Sequence, residues 1–334
     1  MSINENIYHA LVTAAVADAM AMPLMSRPTH LIKQDYGNGN YVFDILPSLD
    51  DAPGVGQPIA TVTDVFFPAY LMFNQFSKDK KVTVQGVKAA LIEWHNHNRH
   101  FQAFADFSDK AAVQKILGDY IPDRFDAVPC EARHRGASGA ARAFIAGLVN
   151  PNNQNKAIRD AITITMCTHP NAIVTSGAAA VAAATAAAFS TTATVADIVD
   201  SGFKAVQKGY LLGEHYSGYT AVGSKIERRM ELAVNIGIQY GGDFDQCIKE
   251  MSEVIGTGNL SSESVPSAFG FFVAANGNPE TAVRMALNAG KCCNYTATIA
   301  GVLSAVFSKQ ADVLAPFVEK VERSNQFALA DVIS

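Results

Sequence analysis

Between Ala172 and Phe189 the chain carries no charged side chain and is mostly alanine, broken by Thr175, Ser176, Gly177 and Thr185. Such a segment can cross a bilayer or form a buried helix. Alanine contributes little transfer free energy, so insertion would be weakly driven compared with a leucine-rich span. A buried helix is the expected outcome, its small side chains letting neighbouring helices approach closely. That requirement points to a helix-on-helix core and to no membrane association.

The rest of the chain agrees. Ile7 to Met22 has a strong helix-forming composition, with Ile7, Leu11, Ala14, Ala15 and Asp18 at spacings of three or four, and Pro23 and Arg27-Pro28 end it. Residues 34 to 62 are rich in Gly, Asn, Asp and Pro and read as a long irregular loop, a feature often tied to function. Thr63-Asp64 reads as the cap of a helix reaching about Phe76. Further helices are expected at Val82–His97 and from Phe107 to Gly118, then a loop over Pro122–Gly139. Beyond it come Ala140–Leu148, Lys156–Cys167, Ala172–Phe189, Val195–Leu212, Lys225–Tyr240 and Asp243–Ile255. Ser264–Asn276, Glu280–Ala289, Tyr295–Ser308 and Ala311–Asn325 complete the set. Period-two alternation is nearly confined to residues 36 to 46. No fixed-period repeat or linker divides the chain, so one all-α domain over residues 1–334 is expected.

Hydrophobic residues make up 49% and charged residues 17% of 334, which fits a globular chain with a large core. The net charge of −5 argues against a nucleic-acid surface, because neutralising phosphates needs a clustered basic excess. The five cysteines are odd in number and lack CxxC spacing, so reduced thiols in a cytoplasmic setting are expected. The first residues carry no basic run of the secretory type.

Six segments carry a family resemblance when read in order. Ala17-Asp18-Ala19-Met20-Ala21-Met22-Pro23 is followed by Thr63-Asp64-Val65-Phe66 and Gly136-Ala-Ser-Gly-Ala-Ala-Arg142. Thr168-His169-Pro170, Glu263-Ser-Val-Pro-Ser-Ala268 and Asn288-Ala-Gly-Lys-Cys-Cys-Asn-Tyr-Thr-Ala-Thr-Ile-Ala-Gly301 complete the set. Together they resemble the ADP-ribosylglycohydrolases, a family of single, large, orthogonally packed helical domains. The resemblance implies hydrolysis of an N- or O-glycosidic bond in a small ribose- or nucleotide-derived substrate. It further implies a site in which Thr-Asp-Asp and Asp-x-Asp-Thr groups hold two Mg²⁺ ions.

The chain departs from that pattern on both sides of the implied site. Where the family has its second Asp after Thr63-Asp64, this chain has Val65. The first and second Asp of the C-terminal motif fall on Cys292 and Asn294, and the following Thr on Tyr295. Hard cations require a set of oxygen ligands, and one carboxylate is too few for two Mg²⁺. No metal cofactor is therefore expected.

Asp64 and Asp18 are the acid/base candidates, each with a structural alternative as a helix-capping group. Cys292 stands next to an expected helix N-terminus, where the dipole favours a thiolate; the alternative is an inert space-filler. From the resemblance, Thr63, Ser138, Gly139, Arg142, His169, Asn294 and Tyr295 are implied to contact the ligand. Glu131, Arg133, His134 and Arg135 form a polar group beside the small-residue loop, suited to phosphate or carboxylate or simply solvated. His95, His97 and His100 read as surface residues, and Glu214-His215-Tyr216 has no assigned side. Three functional classes remain open: a glycosidase with an altered or absent metal, a non-catalytic binder of ADP-ribose or a related metabolite, and a thiol-dependent hydrolase.

Overall fold

Ser2 starts the first helix by a reciprocal cap: its hydroxyl accepts from the Glu5 backbone N–H while the Glu5 carboxylate accepts from the Ser2 N–H. A computed structural model of the chain describes residues 2–79, 81–119, 133–309 and 314–332. In chain order its α-helices are α1 (Ile3–Ala21), α2 (Thr29–Asp35), α3 (Phe66–Asp79), α4 (Val84–Asn96), α5 (Asn98–Phe104) and α6 (Phe107–Leu117). Next come α7 (Ser138–Ala141), α8 (Phe144–Leu148), α9 (Gln154–Met166), α10 (Ala172–Ala187), α11 (Val195–Ser217) and α12 (Ile226–Tyr240). The last are α13 (Phe244–Glu250), α14 (Ser261–Ala274), α15 (Pro279–Ala289), α16 (Cys293–Ser308) and α17 (Val318–Asn325). No strand forms among the described residues; an isolated antiparallel bridge joins Gly136 to Leu260.

The all-α expectation holds, and the differences from it are local. The expected loop from residue 34 is preceded by α2, which starts directly after Pro28. The 36–46 alternation forms no strand, because this stretch packs as an irregular segment pinned by α15. There Asn288 accepts from the Val42 N–H and donates back to the Val42 carbonyl, both at 2.8 Å. Ala140–Leu148 is not one helix but the short α7 and α8. The 243–255 helix passes from α13 into a π-helical turn, Met251–Ile255. Thr63-Asp64 does not cap α3; that duty falls to Asp18 of α1. Cys130, Glu131 and most of the expected Pro122–Gly139 loop lie outside the described residues.

The alanine-rich α10 is buried along its whole length. It packs most extensively on α11, and α1 is enclosed mainly by α16. By length and composition Ile3–Leu24 could span a bilayer, yet 83% of its apolar 18-residue window is buried inside the protein. One hydrophobic cluster extends from Ile7 to Leu329, and a smaller one (Ile158, Ile162, Ala179, Ala183, Ala205) seals α9, α10 and α11.

The α10–α11 contact depends on glycine. A Cβ on Gly209 would lie 2.5 Å from the Ala179 Cβ and 2.6 Å from the Thr175 carbonyl oxygen. The helices are close enough for the Thr175 hydroxyl to donate to the Gly209 carbonyl at 3.1 Å. In an open helix Gly→Ala is stabilising by about 0.5–1 kcal/mol. Here the added methyl meets backbone that cannot swing aside, so Gly209→Ala is expected to destabilise by about 1–3 kcal/mol. Thermal denaturation checks this, and a raised Tm would show that the two helices can separate at little cost.

Candidate active site

Asp18 sits on an otherwise apolar helix and is fully buried, a position that is costly for a carboxylate without partners. Its partners are the orphan donors at the start of α3. One oxygen accepts from the backbone N–H of Thr63 at 2.6 Å and of Phe66 at 3.2 Å; the other accepts from the Thr63 hydroxyl at 2.6 Å. Asp18 thus caps α3 from another helix. Burial pushes its carboxyl up to about 7, against the lowering effect of the Thr63 and Phe66 bonds.

The segment before α3 is clamped at further points. Asn325 accepts from the Val62 N–H at 3.0 Å. His100 accepts from the Trp94 indole at 2.8 Å through Nδ1 and donates from Nε2 to the Val62 carbonyl at 2.8 Å. His100 is therefore not the surface residue expected from its sequence setting. Burial holds its ring neutral, down to about 4.

These clamps deliver Asp64 to the N-terminal turn of α16. Its Oδ1 accepts from the Asn294 amide at 3.2 Å and its Oδ2 from the Tyr295 hydroxyl at 3.0 Å. The same Asn294 amide donates to the Thr63 hydroxyl oxygen at 3.0 Å. Asp64 is 2% exposed and Tyr295 5%. Burial raises the Asp64 carboxyl to about 8; Arg142 opposes this, while Asp106, Asp109 and Asp18 add to it. The Asn294 carbonyl oxygen is buried with no partner, an acceptor left open at the centre of the group.

Arg142 and His169 form the other half. Arg142 donates from Nε to the Asp64 carbonyl at 2.8 Å, and its two terminal nitrogens grip both oxygens of Asp109. The guanidinium also lies over the Trp94 ring, 5.4 Å from its centroid. Both oxygens of Asp109 accept from the cation, so the pair is ionised, with Arg142 held even more firmly protonated than usual. Asp106 caps α6 by accepting from the Asp109 N–H, and its other oxygen accepts from Ser138 at 2.8 Å and His169 Nε2 at 3.0 Å. Burial alone would raise Asp106; the His169 charge and bond, with Arg142, outweigh it and hold the carboxyl well below the usual range. A Cβ on Gly139 would stand 2.7 Å from His169 Nδ1, so glycine there is what lets the imidazole lie against the backbone.

The structure therefore joins Asp18, Thr63, Asp64, Asn294 and Tyr295 into one network, with Arg142 bonded to the Asp64 backbone. Ser138, Gly139 and His169 gather around Asp106. Asp106 and Asp109 were missed as site residues; the legible signal was a pair of acids opening a helix at Asp106-Phe-Ser-Asp109. Cys292 occupies the N-cap position of α16 and makes no side-chain cap bond. Of its two readings, the surroundings oppose the thiolate: burial, then the neighbouring Asp64 and Glu263, push the thiol up to about 12. Cys293 is buried and shifted up too. Arg135 donates to the Val222 carbonyl at 2.7 Å, and His134 stacks on Phe107. Glu214-His215-Tyr216 closes α11.

The donor set does not fit a pair of Mg²⁺ ions. Both Asp64 oxygens face hydrogen-bond donors, the Thr63 hydroxyl is committed between Asp18 and Asn294, and Val65 supplies no ligand atom. An amide and a phenol proton point where a cation would need oxygen lone pairs. Among the described residues no group of three or more His, Cys, Asp or Glu side chains is placed to hold a metal.

The all-α fold agrees with what known proteins show. The chain belongs to the ADP-ribosylglycohydrolase family, whose model matches residues 1–333. It is similar in fold to a solved structure titled "ADP-ribosylglycohydrolase-related protein complex", at a TM-score of 0.60 and 13% identity, covering 99% of this chain and 97% of that one. No curated protein matches it in sequence. The family membership supports a hydrolase-like function.

Two measurements probe this network. Arg142→Met leaves Asp109 buried without its cation and is expected to cost about 3–5 kcal/mol. Arg142→Met combined with Asp109→Leu should recover much of that loss in denaturant titrations. The second concerns pH. Asp18 and Asp64 both have raised carboxyls, so the folded state holds their protons more tightly than the unfolded chain. Their stabilisation is full below the ordinary carboxylate range and is lost as pH rises through about 7 and 8. His100 acts oppositely, but its effect ends near its ordinary value of 6.5. From pH 6.5 to 8.5 unfolding stability should therefore fall, on the order of 1–3 kcal/mol. Asp64→Asn should flatten that slope.

Proposed function

We propose that this protein is a glycosidase that cleaves an N- or O-glycosidic bond of a small ribose- or nucleotide-derived substrate without two Mg²⁺ ions. Asp64 serves as the proton donor. The observation that carries this reading is the Asp64 carboxyl, raised to about 8 by burial and so protonated at neutral pH. In this scheme the leaving-group atom takes the place of the Tyr295 hydroxyl at Oδ2 and receives the Asp64 proton as the glycosidic bond breaks. Water then adds to the sugar cation and returns a proton to the Asp64 carboxylate. The open Asn294 carbonyl would accept from a sugar hydroxyl. Asp18 acts as the cap that positions Thr63 and Asp64, not as the second acid. Arg142 and the Asp106–His169 pair hold the opposite wall.

A second reading, a non-catalytic binder of ADP-ribose or a related metabolite, is favoured by one specific fact. Both Asp64 oxygens are already satisfied and the residue is 2% exposed. A thiol mechanism finds no support in the raised Cys292 thiol.

Hydrolysis of methyl riboside and of phenyl riboside, whose leaving oxygens must take up a proton, separates the readings. On the first, turnover persists in EDTA, declines as pH rises through about 8, and drops about a hundredfold or more in Asp64→Asn. If neither compound is turned over while ADP-ribose raises the melting temperature, the binder reading stands and the glycosidase is rejected.

A further inference from the structure

Away from the acid cluster, α4, α6, α9 and α11 enclose a cleft of about 810 Å³, within the range of small-molecule sites. Each of the four helices contributes one cation to its lining: Lys88, Lys115, Arg159 and Lys208. Among the described residues that line it, none is acidic. That is unusual in a chain with 31 acidic and 26 basic residues. Another cleft nearby mixes its signs, with Asp197 and Asp200 beside Lys204.

The remaining lining decides what kind of anion fits. Ile116, Ile162, Met166, Leu212 and Tyr216 supply an aliphatic and aromatic surface. Tyr216 is 60% exposed. The neutral polar groups are already used: the Thr163 hydroxyl donates to the Arg159 carbonyl at 3.1 Å, and the Cys167 thiol donates to the Thr163 carbonyl at 3.3 Å. Among the described residues the lining contains no Asn, Gln, Asp or Glu to read the edge of a base. Recognition here rests on charge and apolar contact, not on a hydrogen-bond pattern.

We propose that this cleft binds a carboxylate with an aliphatic tail, of the fatty-acyl type, its head among the four cations and its chain along Ile116, Ile162, Met166 and Leu212. The site is independent of the Asp64 chemistry. Calorimetric titration of the full chain with decanoate, decanol, decyltrimethylammonium and AMP tests it. Decanoate should bind at one site, at least about tenfold more tightly than decanol, and more weakly as salt is raised. Decyltrimethylammonium should not bind. Arg159→Glu with Lys208→Glu, both exposed positions, should weaken decanoate at least about tenfold while the melting temperature stays near that of the parent. Equal affinity for decanoate and decanol would overturn the proposal. So would decanoate binding untouched by the double reversal, or AMP binding more tightly than decanoate.

Discussion

The buried Arg142 guanidinium is the interaction around which the site is organised. A single cation in a helical core draws the Asp64 backbone, the Asp109 carboxylate and the Trp94 ring to itself. An isolated charge at 1% exposure is costly, so each partner is compelled to remain. Trp94 then bonds His100, His100 bonds the Val62 carbonyl, and the chain entering α3 is fixed between α1 and α16. The closed loop of contacts explains why residues far apart in sequence meet within hydrogen-bonding distance.

Within that frame hydrogen-bond donors shape the site around Asp64. Asn294 and Tyr295 present protons to Asp64, and burial keeps the Asp64 carboxyl largely protonated at neutral pH. A hard cation and these donors would compete for the same lone pairs. The space beside Asp64 is filled by a hydrogen-bonded network of Thr63, Asn294 and Tyr295. One acceptor, the Asn294 carbonyl, remains unpaired within it.

Much of the fold was legible because helix chemistry is local. Asn278-Pro279-Glu280 places a cap, a first-turn proline and an early acid in consecutive positions, and α15 begins there. The alanine run of α10 required close neighbours, and Gly209 and Gly213 on α11 provide them. Failures occurred where a distant partner decided the outcome. Thr63-Asp64 has the composition of a cap, yet the carboxylate that caps α3 arrives from α1. His100 has the setting of a surface residue and is enclosed by Trp94 and Val62. At Cys292 the sequence left a thiolate and an inert space-filler open, and burial with Asp64 favours the protonated thiol.

The sequence alone determined the helical class and the order of its family segments, since these follow from residue type and short-range spacing. Tertiary structure alone decided which acid is paired with Arg142, which caps a helix, and which stands neutral beside a phenol. Those roles depend on burial and on distances between residues such as Asp64 and Tyr295, which no local pattern encodes. The cleft with four cations is a case of the same kind. Lys88, Lys115, Arg159 and Lys208 look like separate surface charges until the packing of four helices brings them to one cavity.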